Sequence, residues 1–500
     1  MSEADSRADA QGAERQPAAL RYLFFAEAWE RFSFYGMKAL LVFYMTKRFA
    51  FGDEQAYAVY GSYTALVYAT PVLGGMLADR VLGFRKAVVL GAVLMALGHF
   101  AMTVERVDVF YLALGLLICG NGFFKPNISS IVGRLYRPDD PRRDAGFSIF
   151  YMGINLGAGL AGIVCGNLGE RFGWHWGFGV AGLGMLVGLG VFLRAQPLLA
   201  GLAEPPDRDK LAARRFGLSR EAWIYVGVFA AVLLAWRLVE QTKLVGVLLS
   251  VFGGVVLLGL VIMLARMESK LERERLYAAL FLTLVSVVFW AFFEQAGTSM
   301  NLFTDRNVNR SVFGVSIPAS VFQSVNPAFI LLLAPPLTTL WLLLGRRGRE
   351  PSSTLKFALG ILQLGLGFGA LYFGALTSQK TGIVPLPWLL LGYLLHTMGE
   401  LCLSPVGLSL MTKLSPVKTT GLMMGVWFLS TAFAQYAASM IAAFTGVSGE
   451  GKALHALPAA RDTVMVYGTV FGNIAVVALV VGVLVALSAP FVRRWMHGVR

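Results

Sequence analysis

Residues 25–45 read FAEAWERFSFYGMKALLVFYM and place four charged side chains inside a long apolar stretch. The four are Glu27, Glu30, Arg31 and Lys38. Their spacings of three, four and seven residues put them on one face of a helix. A charged side chain at the centre of a bilayer costs at least about 2.5–3.5 kcal/mol. The stretch therefore predicts a membrane helix whose charged face is turned toward a protein interior or a watery cavity.

The composition indicates an integral membrane protein. Of the 500 residues, 56% are hydrophobic and 14% are charged, which leaves too little polar surface to cover a soluble fold. Fourteen apolar stretches are long enough to cross a hydrocarbon core of about 30 Å as helices. We place them at 22–48, 56–78, 86–104, 108–132, 145–166, 175–195, 221–239, 244–265, 277–302, 314–344, 354–377, 386–411, 420–445 and 463–491. The three cysteines lie far apart within these stretches, which predicts neither a disulfide framework nor a metal site.

The basic residues cluster in alternate short loops, which predicts the topology. The net charge of +14 therefore indicates an orientation in a lipid bilayer rather than binding to nucleic acid. The loops that we assign to the cytoplasm contain Arg80, Arg85 and Lys86; Arg134, Arg137, Arg142 and Arg143; Arg208, Lys210, Arg214, Arg215 and Arg220; Arg266, Lys270, Arg273 and Arg275; Arg346, Arg347 and Arg349; Lys413 and Lys418; and Arg493 and Arg494. Both termini are expected on that same side.

A long polar interruption at residues 196–220 divides the chain after six predicted helices. The helix pair that follows, within 221–265, has no charge near its centre, which suits a peripheral hairpin facing lipid. Without that pair, two sets of six helices remain, as in transporters built from paired repeats. The predicted parts are a cytoplasmic tail at 1–20, a six-helix bundle at 21–195, a linker at 196–220, an extra hairpin at 221–265, a linker at 266–276, a second bundle at 277–491 and a tail at 492–500.

Three more ionisable residues lie inside predicted helices. Lys125 precedes Pro126, while Glu294 and Glu400 are each flanked by apolar turns without a partner on their own helix. Because unpaired buried ions are costly, we expect ion pairs between these acids and the cations of the first half. A proton can neutralise one partner, and a substrate with an ammonium and a carboxylate can replace both. The residues themselves therefore suggest proton-linked transport of a zwitterion.

Further polar groups could contribute to the same cavity. His396 is an alternative proton carrier one turn before Glu400, although hydrogen-bonded packing is the commoner role of such a histidine. Amide, hydroxyl and aromatic groups can bind a peptide-like backbone and form side-chain pockets, or else simply pack between helices. The candidates near the inferred midplane are Tyr35, Tyr68, Asn155, Asn326, Ser404 and Trp427.

Eight segments carry a resemblance to a known family. EAWERFSFYG at 27–36 resembles the ExxERFxYYG signature of the proton-dependent oligopeptide transporter (POT) family, within the major facilitator superfamily. GGMLADRVLGFRK at 74–86 resembles that superfamily's loop motif, and FYMGINLGAG at 150–159 resembles the family's helix-five signature. The remaining segments are GNGFFKPN, FFEQAGTS, FQSVNPAFI, GELCLSPVGLS and GLMMGVWFL, so the resemblance extends to helix eleven.

The resemblance implies a major facilitator fold, with import of di- and tripeptides coupled to protons by alternating access. It implies no cofactor besides the coupling proton, and we expect a monomer in a bacterial inner membrane. The implied proton-coupling residues are Glu27, Glu30, Arg31 and Lys125. The implied substrate-binding residues are Tyr35, Lys38, Tyr68, Lys125, Asn155, Glu294, Asn326, Glu400, Ser404 and Trp427.

Within that set the resemblance implies more specific roles. Glu400, Asn155 and Asn326 would hold the amino end of the peptide. Lys38 and Lys125 would hold its carboxylate. Two ion pairs, Lys38–Glu294 and Lys125–Glu400, would join the two halves.

Three positions depart from the family pattern. Phe34 replaces a usual tyrosine and loses a hydroxyl, while Lys38 replaces a usual arginine and loses a bidentate fork. Gly61 stands where animal members have a histidine, so protonation here is expected to rest on the glutamates. Asp79 and Arg80, in the loop motif at an inner helix end, are predicted to lock the outward-open state through pairing of Asp79 with a helix terminus or an arginine.

Other functions are compatible with part of this pattern. The same fold could carry another solute, such as nitrate, a modified peptide or an amino acid, or could sense peptides without transporting them. A membrane enzyme is a different class. No HExxH, GxSxG, P-loop or metal-spaced Cys/His set occurs in the sequence, and we therefore predict that the protein is not an enzyme.

Overall fold

A computed structural model describes residues 15–137, 139–416, 419–447 and 459–499. The predicted all-α class is confirmed, because fourteen long helices dominate the described residues. They are α1 (Ala18–Phe43), α2 (Asp53–Leu77), α3 (Phe84–Met102), α4 (Val107–Arg134), α5 (Arg143–Ala161), α6 (Trp174–Ala195), α7 (Arg220–Glu240), α8 (Thr242–Arg266), α9 (Lys270–Phe293), α10 (Val325–Arg346), α11 (Ser353–Thr377), α12 (Leu386–Leu414), α13 (Thr420–Ala443) and α14 (Ala460–Trp495).

Thirteen of the described helices are long and apolar enough to span a membrane. The exception among the fourteen is α1, whose charged residues lower its hydropathy. With 26 residues, α1 is about 39 Å long and still exceeds the thickness of a hydrocarbon core. The number of helices therefore agrees with the sequence prediction.

The N-terminal tail, predicted at 1–20, ends earlier than expected. α1 begins at Ala18 instead of residue 22, and the amide of Leu20 donates to the carbonyl of Pro17 at 2.9 Å. Ala19 and Leu20 are buried and favour helix, which explains the additional turn. Residues 1–14 of the predicted tail lie outside the described residues, as does Lys418 of the predicted basic loops.

The linker predicted at 196–220 has local structure that the sequence did not predict. A 3-10 turn covers Gln196–Leu199, and a short helix covers Arg208–Ala212. Two strands, β1 (Arg214–Arg215) and β2 (Leu218–Ser219), then form an antiparallel hairpin that leads into α7.

A second short hairpin overturns the predicted start of the helix at 314–344. Its strands, β3 (Ser311–Val312) and β4 (Val315–Ser316), enclose the pair Phe313 and Gly314, and α10 begins only at Val325. Both residues of this pair have positive φ, as in the two-residue turns that join the strands of a hairpin. Such short strands show no alternating pattern, so the apolar composition alone suggested helix.

The helix predicted at 277–302 is interrupted in the structure. α9 ends at Phe293, a 3-10 turn covers Glu294–Gly297, and a short helix continues at Ser299–Asn307. Gly297 permits the close approach of α2, because a Cβ there would lie 1.9 Å from the hydroxyl of Tyr60. Discontinuous helices in transporters commonly form binding sites, and Glu294 is the first residue of this break.

Close packing against α5 fixes the position of α1. A Cβ added to Gly157 would lie 2.0 Å from the carbonyl oxygen of Ala28, and one added to Gly153 would lie 3.0 Å from that of Phe24. Small residues one turn apart let two membrane helices approach each other at backbone distance. The helix-five signature therefore provides the surface on which the charged helix rests.

The chain divides into two compact units. The first contains the described parts of Met1–Met37, with Thr70–Ala161 and Phe178–Trp236, and the second contains Lys38–Ala69, Gly162–Gly177 and the described parts of Arg237–Arg500. The bundle and linker boundaries proposed from the sequence stay predictions.

The extra hairpin, α7 and α8, is attached within these units. In the first unit, Gly115 of α4 packs against α7, and a Cβ there would lie 2.8 Å from the carbonyl oxygen of Val232. In the second unit, Val245 and Leu249 of α8 form a buried cluster with Ala65 and Ala432. The rest of α8 is largely exposed and apolar, which suits a helix that faces lipid.

Candidate functional site

The charged stripe of α1 forms a buried cluster in the first unit. The Nε atom of Arg31 lies 3.1 Å from Oε1 of Glu27 and also donates to Oε2 of Glu30. No more than 2% of any of these three residues is exposed. Asn121 of α4 donates from Nδ2 to Oε1 of Glu30 at 3.4 Å. Two carboxylates therefore share one guanidinium away from bulk water.

The cluster keeps polar atoms that make no hydrogen bond. Among the described residues, no partner reaches Oε2 of Glu27 or Nη2 of Arg31. Lys125 of α4 lies close enough to attract both carboxylates electrostatically. When Glu27, Glu30, Arg31 and Lys125 are all ionised, their charges sum to zero. One added proton therefore leaves the cluster with a net positive charge.

Phe34 keeps an aromatic face against the cluster despite its lost hydroxyl. It is 3% exposed, and the guanidinium carbon of Arg31 lies 5.4 Å from its ring centroid, within cation–π range. Tyr35, the next residue, is half-buried and packs edge-on against Phe34 with ring centroids 5.4 Å apart. A tyrosine at position 34 is therefore not needed to hold Arg31.

The predicted ion pair between Lys38 and Glu294 is present in the second unit. Nζ of Lys38 lies 2.9 Å from Oε2 of Glu294, and the side chains are 11% and 10% exposed. Nζ also lies 5.8 Å from the ring centroid of Tyr60. Glu294 therefore receives a counter-ion at the break in α9. The roles of both residues in substrate binding stay predictions.

Glu400 of α12 is held by neutral groups in the second unit. Asn326 of α10 donates from Nδ2 to Oε2 of Glu400 at 2.9 Å and to Oγ1 of Thr397 at 3.0 Å. No basic side chain described in this unit forms an ion pair with Glu400, which is 9% exposed. The carboxylate of Glu294 is near enough to interact with it electrostatically. The resemblance grouped Asn326 with Glu400, and the structure shows them in contact. Within this unit Lys38, Glu294 and Glu400 together carry one negative charge in excess.

The remaining predicted lining residues lie on helices in the expected way, and their roles stay predictions. In the first unit, Asn155 is 5% exposed and donates to the carbonyl of Tyr151 on its own helix at 3.1 Å. In the second unit, Tyr68 packs beside the buried cluster that α8 forms. Ser404 is half-buried one turn after Glu400.

Trp427 and His396 both pack closely against neighbouring glycines. A Cβ at Gly407 would lie 2.4 Å from the Trp427 ring, and one at Gly367 would lie 2.4 Å from the His396 ring. The His396 ring also packs against Phe368, with ring centroids 4.5 Å apart and planes tilted by 40°. These contacts favour the packing role for His396.

Gly61 of α2 has a steric reason for being glycine. A Cβ at this position would lie 2.0 Å from Oγ and 2.3 Å from Cβ of Ser439 on α13. A histidine therefore does not fit here unless Ser439 is replaced by a smaller residue or α13 moves. The absence of the animal-type histidine is thus part of the local packing.

The loop-motif residue Asp79 pairs with an arginine, as the sequence suggested. Arg134, at the end of α4, lies 3.5 Å from Asp79, and its guanidinium carbon lies 4.1 Å from the ring centroid of Phe84. Both charged side chains are largely exposed, which makes this a weak contact on its own. Arg80 is exposed, and the gating role of Asp79 and Arg80 stays a prediction.

A buried ion pair that the sequence analysis missed lies in the second unit. Arg306 makes a bidentate contact with Asp53 at 2.6 and 2.8 Å and donates to the hydroxyl of Tyr467 at 2.9 Å. The amide of Val447 donates to the same carboxylate at 3.0 Å. Asp53 lies at the very start of α2, a position that suggested an ordinary helix end rather than a buried acid.

Comparisons with known proteins identify the family. The POT family model matches residues 85–456, which is most of the chain. The chain belongs to the POT family. This POT family member is 37% identical over 495 residues to "Uncharacterized transporter YclF" of Bacillus subtilis (strain 168), covering 97% of this chain and 96% of that protein.

Two further POT relatives extend the comparison. "Peptide transporter YePEPT" of Yersinia enterocolitica subsp. palearctica serotype O:3 (strain YE-P4) is 39% identical over 449 residues, covering 85% of this chain and 87% of that protein. The crystal structure of peptide transporter POT in complex with sulfate has a TM-score of 0.82 and 37% identity, covering 97% of this chain and 96% of that one. The predicted family and the predicted major facilitator fold are confirmed, and this POT family member is a multi-pass membrane protein.

Proposed function

We propose that the protein is a symporter that imports di- and tripeptides together with protons by alternating access. The observation that carries the proposal is Glu400, a buried carboxylate held by the amide of Asn326. Within the second unit Lys38 balances Glu294, so Glu400 leaves one negative charge in excess among these three residues. An incoming peptide ammonium supplies the missing positive charge, together with three N–H donors.

Lys38 supports recognition of the other end of the peptide. Its ammonium is already bound to the carboxylate of Glu294. A peptide carboxylate can replace Glu294 as the partner of Lys38 once another charge in the site has been neutralised. Similarity to a relative named a peptide transporter also favours peptides over nitrate, which has no ammonium to bind Glu400.

The α1 cluster supports proton coupling. Glu27 and Glu30 share Arg31, so protonation of either carboxylate leaves the other fully paired. The proton then releases positive charge on Lys125, which the sequence analysis assigned to the peptide carboxylate as well as to coupling. Because Lys38 lies two turns beyond Arg31 on the same helix, a movement of α1 reaches both groups of charges.

The remaining features of the proposal follow from the topology. We place the protein in a bacterial inner membrane with both termini in the cytoplasm, because the basic loops alternate with less basic ones. We propose that it functions as a monomer, without a cofactor other than the proton and without catalytic residues.

The test is uptake of labelled dialanine into liposomes that contain the purified protein. With an inward proton gradient, we expect accumulation above the outside concentration, and without it only equilibration. N-acetyl-dialanine, which lacks the ammonium, should compete poorly. Uptake that ignores the gradient would contradict proton coupling, and equal competition by the acetylated peptide would contradict the assignment of Glu400. Glu240→Gln, an exposed change on α7, is the control variant.

A further inference from the structure

A single buried amide braces the break in α9. Gln295 follows Glu294 in the 3-10 turn, and 0% of its surface is exposed. Its Nε2 atom donates to the carbonyl of Ala291 in α9 at 3.1 Å and to the carbonyl of Ala438 in α13 at 2.8 Å. Its Oε1 atom accepts from Oγ of Ser299 at 2.6 Å. The side chain therefore joins α9, α13 and the short helix after the break at one point in the second unit.

The hydrogen bonds of Gln295 use its whole donor capacity. A side-chain amide has two N–H groups, and here each of them donates to a backbone carbonyl. Because the residue is also completely buried, it offers no donor to a molecule in the site. Gln295 does not bind a peptide itself, and any influence that it has on peptide binding must act through its neighbours.

A second amide holds the same turn from another side. Nε2 of Gln323, in the 3-10 turn that precedes α10, donates to the carbonyl of Ala296. Hydrogen bonds within a 3-10 turn have poorer geometry than those of an α-helix, so bonds from outside contribute more to its position. The bonds of Gln295 are those that tie the turn to α13. They therefore help to fix the direction of Glu294, the first residue of the turn.

The position of Glu294 matters because of its partner. Its Oε2 atom lies 2.9 Å from Nζ of Lys38, and under the proposed function a peptide carboxylate competes with Glu294 for that ammonium. A group that is already held in its bound position binds more tightly than a mobile one, because less conformational freedom is lost. The firmness with which Glu294 is held therefore sets how strongly it competes with the peptide.

We propose that Gln295 is a positioning residue that holds Glu294 on Lys38 and thereby regulates recognition of the peptide carboxylate. The inference rests on the proposed function, in which Lys38 binds that carboxylate. With its hydrogen bonds intact, Gln295 keeps Glu294 a strong competitor for the ammonium. Without them Glu294 loses its fixed position, and a peptide carboxylate meets weaker competition.

The test compares two ligands on the full-length protein in detergent, with affinities measured by titration calorimetry at one pH. Dialanine has a terminal carboxylate, whereas dialanine amide lacks it and keeps the ammonium. Gln295→Met replaces the amide by an apolar side chain of similar length. We expect the affinity for dialanine to rise about tenfold in this variant, while the affinity for dialanine amide stays within about twofold of the parent value.

The other outcomes separate this inference from the proposed function. If the parent protein does not prefer dialanine over its amide, Lys38 does not recognise the carboxylate, and the proposed function loses that step together with this inference. If the parent prefers dialanine but Gln295→Met shows no selective gain, only the role of Gln295 is wrong. An equal change for both ligands would indicate altered packing and would also overturn the proposal.

A milder variant and a matched control complete the comparison. Ser299→Ala removes only the bond to Oε1, and we expect the same selective gain for dialanine, of about threefold. If Gln295→Met does not fold, an unchanged affinity for dialanine in Ser299→Ala overturns the proposal. Gln363→Met on α11 is the control, because the buried Oε1 atom of Gln363 has no hydrogen-bond partner in the part of the chain that the structure describes. It should leave both affinities unchanged, and a selective gain there would contradict the role of Gln295.

Thermal unfolding provides a readout that involves no ligand. Gln295→Met should lower the Tm of the parent protein more than it lowers the Tm of the double variant Lys38→Gln with Glu294→Gln, because holding Glu294 in place matters only while the ion pair exists. Equal decreases in the two backgrounds would show that Gln295 acts independently of the ion pair and would overturn the proposal.

Discussion

Lys38 and Glu294 link the charged helix α1 to the break in α9 through a contact of 2.9 Å. About nine-tenths of each side chain is buried, so water cannot readily take the place of either partner. Lys38 is also two turns from Arg31 on a continuous helix, about 10 Å along its axis. Lys38 and the two carboxylates that we propose for proton coupling therefore lie on one helix, α1.

Removal of one partner of this pair should destabilise the protein more than removal of both. Lys38→Gln leaves Glu294 buried without a counter-ion, and such changes cost about 3–5 kcal/mol. Lys38→Gln with Glu294→Gln replaces the ion pair by two amides that can bond to each other. We expect thermal unfolding in detergent to show a lower Tm for the single variant and a partial recovery in the double variant. A double variant less stable than the single one would show that the pair is not a coupled unit.

Glu30→Gln should separate peptide binding from proton coupling. The amide keeps the size of the side chain and can still accept a hydrogen bond from Arg31, while it can no longer take up a proton. We expect gradient-driven accumulation of dialanine to fall by at least about tenfold, with exchange of peptide across the liposome membrane retained. Glu240→Gln serves as the exposed control. Normal accumulation by Glu30→Gln would remove Glu30 from the coupling set.

Glu400→Gln should weaken recognition of the peptide ammonium. A hydrogen bond to a charged group contributes about 1.5–3 kcal/mol, so the affinity for dialanine should fall about tenfold to a hundredfold. The affinity for N-acetyl-dialanine should hardly change, because that peptide has no ammonium. Competition assays on the parent protein and the variant measure both quantities. An equal loss for the two peptides would indicate general damage to the site instead of a lost ion pair.

Gly157→Ala should disturb the packing of α1 against α5, whereas Gly190→Ala should not. The added Cβ at position 157 meets the backbone of Ala28 at 2.0 Å, and a backbone atom cannot turn aside. We expect a loss of about 1–3 kcal/mol from overpacking, with lower uptake because the charged cluster shifts. Nothing lies within 4 Å of the corresponding Cβ at Gly190 of α6, so that variant should keep its Tm and its activity. Equal behaviour of the two variants would contradict the packing account.

Much of this arrangement was predictable because buried charged residues are easy to recognise within the apolar sequence of membrane helices. Glu27, Glu30 and Arg31 stood out since apolar residues surround them, and Asn326 and Glu400 were placed together through the family resemblance. Asp53 and Arg306 were not found, because both lie near predicted helix ends, where charged residues are common. Their bidentate contact depends on tertiary packing that periodicity does not report.

The breaks in the helices are the second feature that the sequence did not predict. The 3-10 turn at Glu294–Gly297 lies within a segment that the sequence predicts as one continuous helix, and the hairpin at Ser311–Ser316 is too short to alternate. In both places a glycine marked the change, Gly297 by close packing and Gly314 by positive φ. Hydropathy identifies which segments lie in the membrane but does not show where the backbone leaves helical geometry.

The contact between Gly61 and Ser439 also limits which side chains position 61 can carry. Because the hydroxymethyl group of Ser439 occupies the space of a side chain at position 61, a histidine could arise there only after position 439 became smaller or α13 shifted outward. The order of the two substitutions therefore matters: Ser439→Gly first opens a cavity that a helix pair can tolerate, whereas the reverse order passes through a clash. We therefore expect the side chains at positions 61 and 439 to change together.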